Sequence, residues 1–199
     1  MRHNPYMQRK QSDQELIAEV LSGNTKAYAE LVKNHQRFVF TLAFRFAKNR
    51  EDAEEIAQDC FVKAYRALGT FKQTAKFTTW LYTIAYTTAM SFLRKRKINT
   101  QSIDNDEMVL QLPNTITSYQ ANLVEQKSAN VYVNMAINSL LPDDAAIITS
   151  FYLGEQSLEE IGTMLNMEAN TVKVKLHRAR GRLKEKLELL LKDEVKELL

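Results

Sequence analysis

Residues Ser157 to Leu187 read SLEEIGTMLNMEANTVKVKLHRARGRLKEKL. Ser157 with Glu160 three positions later forms a capping box, which fixes the start of a helix. Ile161 and Leu165 follow at helical spacing, and Asn166 interrupts. A turn between two such helices needs a left-handed backbone, which glycine tolerates best and asparagine next best. Gly162 is small where the two helices must approach. A second helix is expected to begin near Glu168, with Met167, Val172 and Leu176 packed back on the first. This is the pattern of a helix-turn-helix, whose second helix reads bases with its first turns. The outward candidates are Asn170, Thr171, Lys173, Val174 and His177.

Charge agrees with this reading. Val172, Leu176, Ala179, Leu183, Leu187 and Leu190 form one apolar stripe, flanked by Lys173, Arg180 and Lys184 on one side and by Lys175, Arg178, Arg182 and Lys186 on the other. Such cations reach phosphates. The bland alternative is a solvated helix kept soluble by its charges. Turn chemistry, caps and charge sign together favour DNA, and Arg178 and Arg180 are the candidates for its backbone.

Working outward, the rest of the chain is also helical in pattern, with five glycines, three prolines and no useful run of alternating residues among 199. Ser12 with Glu15 opens a short helix that Gly23 ends. Asn24 precedes a long one carrying Leu31, Phe38, Leu42 and Phe46. Asn49 starts a third, whose core stripe is Ala53, Ile56, Ala57, Cys60, Ala64, Ala67 and Leu68. Off that stripe lie Glu55, Gln58, Asp59, Phe61, Val62 and Tyr65. Exposed aromatics beside carboxylates suit a protein partner, although Phe61 and Tyr65 could equally pack beneath the linker or the second domain.

The stretch Phe71 to Lys97, FKQTAKFTTWLYTIAYTTAMSFLRKRK, holds six aromatics, no acid and four terminal cations. By itself it fits a core helix with a basic end, a membrane-surface helix, or a surface for unstacked bases. Beyond it, residues 98–126 are polar, acidic and proline-containing, the pattern of a linker. A helix ending at Leu140 or Leu141 then meets Pro142, and another runs to Gly154. The expected architecture is all-α: two small helical domains, 1–97 and 127–199, joined by a flexible linker at 98–126.

Net charge is +3, unevenly spread: 17 Lys/Arg against 9 Asp/Glu over residues 1–97, and seven cations against one acid from Lys173 to Lys186. Local positive surface of this kind attracts polyanions. A single cysteine excludes an internal disulfide and fits a reducing compartment. With three scattered histidines, no metal site is expected, and no cofactor motif or reactive constellation of an enzyme occurs. The start MRHNPYMQRKQ leads into an acidic helix rather than an apolar core, so no signal peptide is expected. Apolar runs such as Phe38 to Phe44 are far shorter than the ~20 residues that span a bilayer. The expected location is the cytoplasm.

Taken together, REDAEEIAQDCFVKAYRAL, then FKQTAKFTTWLYTIA, then a tether, then LPDDAAIITSFYLGEQSLEEIGTMLNMEANTVKVKLHRARGRL resemble the extracytoplasmic-function (ECF) sigma factors of bacteria, in order and spacing. The resemblance implies that the first domain binds core RNA polymerase through Glu55, Gln58, Asp59, Phe61 and Tyr65. It implies that the loop of Lys72, Gln73, Thr74 and Lys76, with Trp80, Tyr86 and Thr87, meets the melted minus-ten strand, and that Arg94, Lys95, Arg96 and Lys97 hold backbone phosphate. Tyr86 and Thr87 stand where family members often carry arginine and asparagine. The helix-turn-helix would read the minus-thirty-five element, and an anti-sigma factor would be a further partner. The alternatives are a stand-alone helix-turn-helix regulator, an enzyme, or a membrane-surface protein. The aromatics of residues 71–97 do not form the continuous face that the last requires.

Overall fold

Side-chain caps set the starts of the first three helices. Ser12 Oγ accepts from the Glu15 amide at 3.3 Å while the Ser12 amide donates to Glu15 Oε2 at 2.8 Å, opening α1 (Asp13–Leu21). Asn24 accepts from the Lys26 amide to open α2 (Thr25–Ala47), and Asn49 from the Asp52 amide to open α3 (Arg50–Ala67). Each cap satisfies an amide that the helix itself leaves without a partner. Lys48 ends α2 at φ 62°, a left-handed conformation, and Gly23 sits at φ 103° between α1 and α2.

The computed structural model describes residues 11–101 and 124–197, with side-chain surroundings for 11–96 and 130–192. After a single 3-10 turn at Leu68–Thr70 come α4 (Phe77–Gln101), α5 (Val124–Asn138), α6 (Pro142–Tyr152), α7 (Leu158–Leu165) and α8 (Ala169–Glu197). Among the described residues there is no strand. Pro142 occupies the first turn of α6, where its missing amide costs nothing. The preceding helix therefore stops earlier than expected, at Asn138, and α6 ends at Tyr152 rather than Gly154.

The expected linker lies mostly outside the described residues, and its described ends are helical: α4 reaches Gln101 and α5 begins at Val124. No glycine or proline interrupts residues 77–101, so the helix adds one bond per residue past its basic segment.

The first half packs α2 against α1, α3 and α4; the second packs α8 against α5, α6 and α7. The α3 stripe is buried as its spacing demanded, with Ala67 half-covered. On α4, Phe77, Leu81, Ala85 and Thr88 are buried, Tyr82 and Ala89 join them, and Ile84 and Phe92 are half-buried. The two halves also touch. α2 meets α6 and α4 meets α7, which joins the buried side chains of both into one apolar cluster.

Candidate nucleic-acid and polymerase interfaces

The helix-turn-helix comprises α7 and α8. Ser157 accepts from the Glu160 amide at 3.2 Å, and its own amide donates to Glu160 Oε2 at 2.8 Å. Burial raises the Glu160 carboxyl, but the Ser157 amide and the Lys76 ammonium outweigh that and hold it below its ordinary range. Asn166 adopts φ 54°, ψ 51°, the left-handed turn that its residue type permits. A Cβ on Gly162 would lie 2.6 Å from the Met167 carbonyl, so the close approach requires glycine. Ile161, Leu165, Val172, Leu176 and Ala179 are buried where the two helices meet.

Asn170, Thr171, Lys173, Val174, His177, Arg178 and Arg180 are all exposed along one length of α8. Val174 is nearly half-exposed. The Arg180 guanidinium stacks over Phe151 and Tyr152 at 5.2 and 5.4 Å from the ring centres, which orients it as a cation over aromatic faces. Two further cations expected to reach phosphate have other partners. Arg182 hydrogen-bonds the buried Asp144 carboxylate, and Lys175 lies 4.0 Å from Asp143. These pairs tie α8 to the first turn of α6.

On α3, Glu55, Gln58, Asp59, Val62 and Tyr65 are exposed on one face. Asp59 is bridged to Lys63 at 2.7 Å, and the Lys63 ammonium also reaches Thr88 Oγ1. Tyr65 stands edge-on to Tyr28 with ring centres 4.8 Å apart, while the Tyr28 hydroxyl donates to the Phe61 carbonyl. Phe61 is half-buried against the core of its own domain. The face is thus acidic with an apolar end, and Phe61 contributes mainly from beneath.

At the start of α4, Lys72, Gln73, Thr74 and Lys76 are exposed, with Gln73 in the left-handed region at φ 56°. A cleft of about 250 Å³ opens between this loop and the start of α1, lined by Asp13, Gln14, Gln73, Lys76 and Phe77. The contribution of α1 was not foreseen from sequence, because nothing in its spacing shows that its first turn faces residue 73. Asp13 is fixed there by His35, whose Nε2 lies 3.0 Å from both carboxylate oxygens. Trp80 is half-buried, its ring 5.2 Å from Phe71 and 5.6 Å from Phe77, so it supports the loop as well as facing solvent.

Tyr86 donates its hydroxyl to Asp143 of α6 at 3.2 Å; Thr87 is exposed and bonds its own helix. Arg94, Lys95 and Arg96 are exposed, and Arg96 pairs with Asp52 at 2.8 Å. The Lys97 side chain lies outside the described residues. Among the described residues no cluster of histidine, cysteine or carboxylate could hold a metal, and no helix is long and apolar enough to cross a membrane.

Both halves of the chain are similar to known proteins. The family description Sigma-70 region 2 matches residues 31–98, and Sigma-70, region 4 matches residues 131–183. The RNA polymerase sigma-H factor of Pseudomonas aeruginosa is 30% identical over 92% of this chain and 98% of its own length. The ECF RNA polymerase sigma factor SigW of Bacillus subtilis is 31% identical over 86% of this chain and 94% of its own. The ECF RNA polymerase sigma-E factor of Escherichia coli is 31% identical over 94% and 100%. Two solved structures share the fold. CnrH in complex with the cytosolic domain of CnrY has a TM-score of 0.63 at 23% identity, covering 90% of this chain and 99% of that one. RpoE in complex with the anti-sigma factor NepR from Bartonella quintana has a TM-score of 0.65 at 23% identity, covering 82% and 98%. With two region matches in order, and relatives aligned over nearly their full lengths, the chain belongs to the ECF sigma factors of bacterial RNA polymerase.

Proposed function

We propose that this sigma factor binds core RNA polymerase through the α3 face of Glu55, Gln58, Asp59, Phe61 and Tyr65. It would capture the melted minus-ten strand at the Lys72–Lys76 loop, with Trp80, Tyr86 and Thr87 beside it and Arg94 to Lys97 on backbone phosphate. It would read the minus-thirty-five duplex with α8. In this reading residues 1–97 form the melting domain, 98–126 the linker and 127–199 the upstream-reading domain. The working location is the cytoplasm, where polymerase is found, and an anti-sigma factor is the expected regulator. The polymerase supplies the chemistry, and this chain supplies recognition.

The observation that carries the reading is the division of labour on α8. Its apolar stripe, Arg182 and Lys175 are spent on anchoring the helix, which leaves Asn170, Lys173, Val174, His177 and Arg178 presented together to solvent. A helix held so firmly by one face, with a basic reading edge on the other, suits the major groove. The test is reconstitution with core polymerase on genomic fragments. Core alone should be silent on fragments where the mixture initiates. Asp59→Lys with Gln58→Ala should weaken co-purification with core while helical content holds. Undiminished co-purification would contradict the α3 assignment, and tight duplex binding with no polymerase association would favour a stand-alone regulator.

A further inference from the structure

The cleft beside the strand-capture loop has two walls, and only one of them belongs to the loop. Gln73, Ala75 and Lys76 line one side, Ser12, Asp13 and Gln14 from the start of α1 line the other, and Phe71 and Phe77 add aromatic surface. Its volume of about 250 Å³ falls just below the range of about 300 to 1,000 Å³ that takes drug-sized ligands, so it suits a single unstacked base. Stacking on an aromatic ring accepts every base alike. Any choice among bases must therefore come from the polar groups at the cleft's edge.

Asp13 is the fixed charge of this lining. His35 Nε2 lies 3.0 Å from each of its oxygens, and because a carboxylate only accepts, that nitrogen carries the proton. His35 is itself buried, edge-on to Phe77 and Tyr82 with ring centres 5.4 and 6.4 Å apart, so the aromatic core braces the carboxylate from behind. One shared donor leaves Asp13 most of its lone pairs for the cleft. Lys76, the other charge in the lining, is directed to Glu160 at 3.0 Å instead. Gln14 and Gln73 are exposed, and their amides hold no hydrogen bond to other described residues. Gln73 keeps φ 56°, a backbone that glycine adopts freely and glutamine at a cost, and that strain points to a use for its side chain.

We propose that α1 selects the base that enters this cleft, Asp13 accepting from an exocyclic amino group so that adenine, cytosine or guanine is taken and thymine refused. The inference rests on the strand-capture reading of the loop and adds the residues that discriminate. Thymine presents a carbonyl oxygen on either side of its single N–H, and these meet the carboxylate as like charges. Each of the other three bases has an amino group to donate. The amides of Gln14 and Gln73 offer both a donor and an acceptor and adapt to any of the three, whereas a braced carboxylate cannot turn into a donor.

The test uses the complex with core polymerase on pre-melted templates, made from a promoter fragment on which the complex initiates, with each unpaired position changed in turn to all four bases. At one position thymine should weaken binding by at least about fivefold, and replacing adenine there with unsubstituted purine, which lacks the amino group, should cost as much. Asp13→Asn keeps the shape and an acceptor for His35 but adds a donor, and should erase the preference at that position while leaving the others as they were. Gln14→Glu leaves the His35 contact intact, adds a second carboxylate and should raise the penalty on thymine by a further factor of about two. A uniform loss at every position in Asp13→Asn, an unchanged base profile in both variants, or no position that disfavours thymine would overturn selection by α1. Permanganate reactivity on the duplex promoter separates this from the reading beneath it. A glycine/serine replacement of Lys72–Lys76 that still melts the duplex would fault strand capture, whereas loss of melting in that replacement, with an unchanged base profile in the α1 variants, would fault the role of α1 alone.

Discussion

At the scale of single residues, burial of cations has a consequence that pH can read. Burial and the adjacent Arg45 charge lower the Lys48 ammonium to about 8 from an ordinary 10.5. Between those values the unfolded chain holds the proton that the folded chain has released, so stability rises with pH in that window. Cys60 acts with the opposite sign. Burial lifts its thiol from 9.0 to about 12, so above the lower value the unfolded chain loses a proton that the folded chain keeps. Tyr82 and Tyr86, raised by burial from 10.0 to about 12, add to that loss at higher pH. The melting temperature should therefore climb from about pH 8 to about pH 9 and then flatten or fall. Lys48→Met should abolish the climb. Cys60 itself should not react with a thiol reagent at about pH 8 except as the protein unfolds, which a comparison of labelling and unfolding rates measures.

At the scale of elements, the helix-turn-helix is the part most fully legible from sequence, because each of its signals is local. A capping box, a left-handed asparagine and a glycine at the close approach are chemistry of consecutive residues, and all three hold in the structure. Asn166→Ala should cost about 1 to 2 kcal/mol in urea unfolding, since alanine resists the left-handed turn, while Asn166→Gly should be neutral or stabilising. Gly162→Ala should cost about 1 to 3 kcal/mol, because its methyl meets the Met167 carbonyl. On α8, Lys173→Ala should change sequence preference, whereas Arg180→Ala should weaken all sequences alike and flatten the salt dependence. A binding-site selection on each variant distinguishes the two. What sequence did not reveal on this element were the partners of Lys175 and Arg182. Asp143 and Asp144 lie in the first turn of α6, and only the packing of α6 against α8 brings them to those cations.

At the scale of the whole molecule, two domains were readable from a change in composition, but their mutual contact was not. Arg45 lies inside the run FVFTLAFRFAK, and its partners lie 89 to 104 residues away. The aromatic stretch of α4 also acts at this scale. Phe77, Tyr82 and much of Trp80 build the core, while the loop before them is left exposed beside a cleft. Duplex binding needs only cations, but promoter opening must offset the cost of unpairing, a few kcal/mol for an extruded base, and stacking returns about 1 to 3 kcal/mol per base. The measurement that tests this most directly replaces Lys72–Lys76 with a glycine/serine loop of equal length and follows permanganate reactivity of unpaired thymines in the polymerase complex. The account predicts core binding and upstream-element binding as before, no melting of duplex promoters, and initiation largely rescued on a pre-melted template. Normal melting of duplex promoters by the loop variant would contradict it.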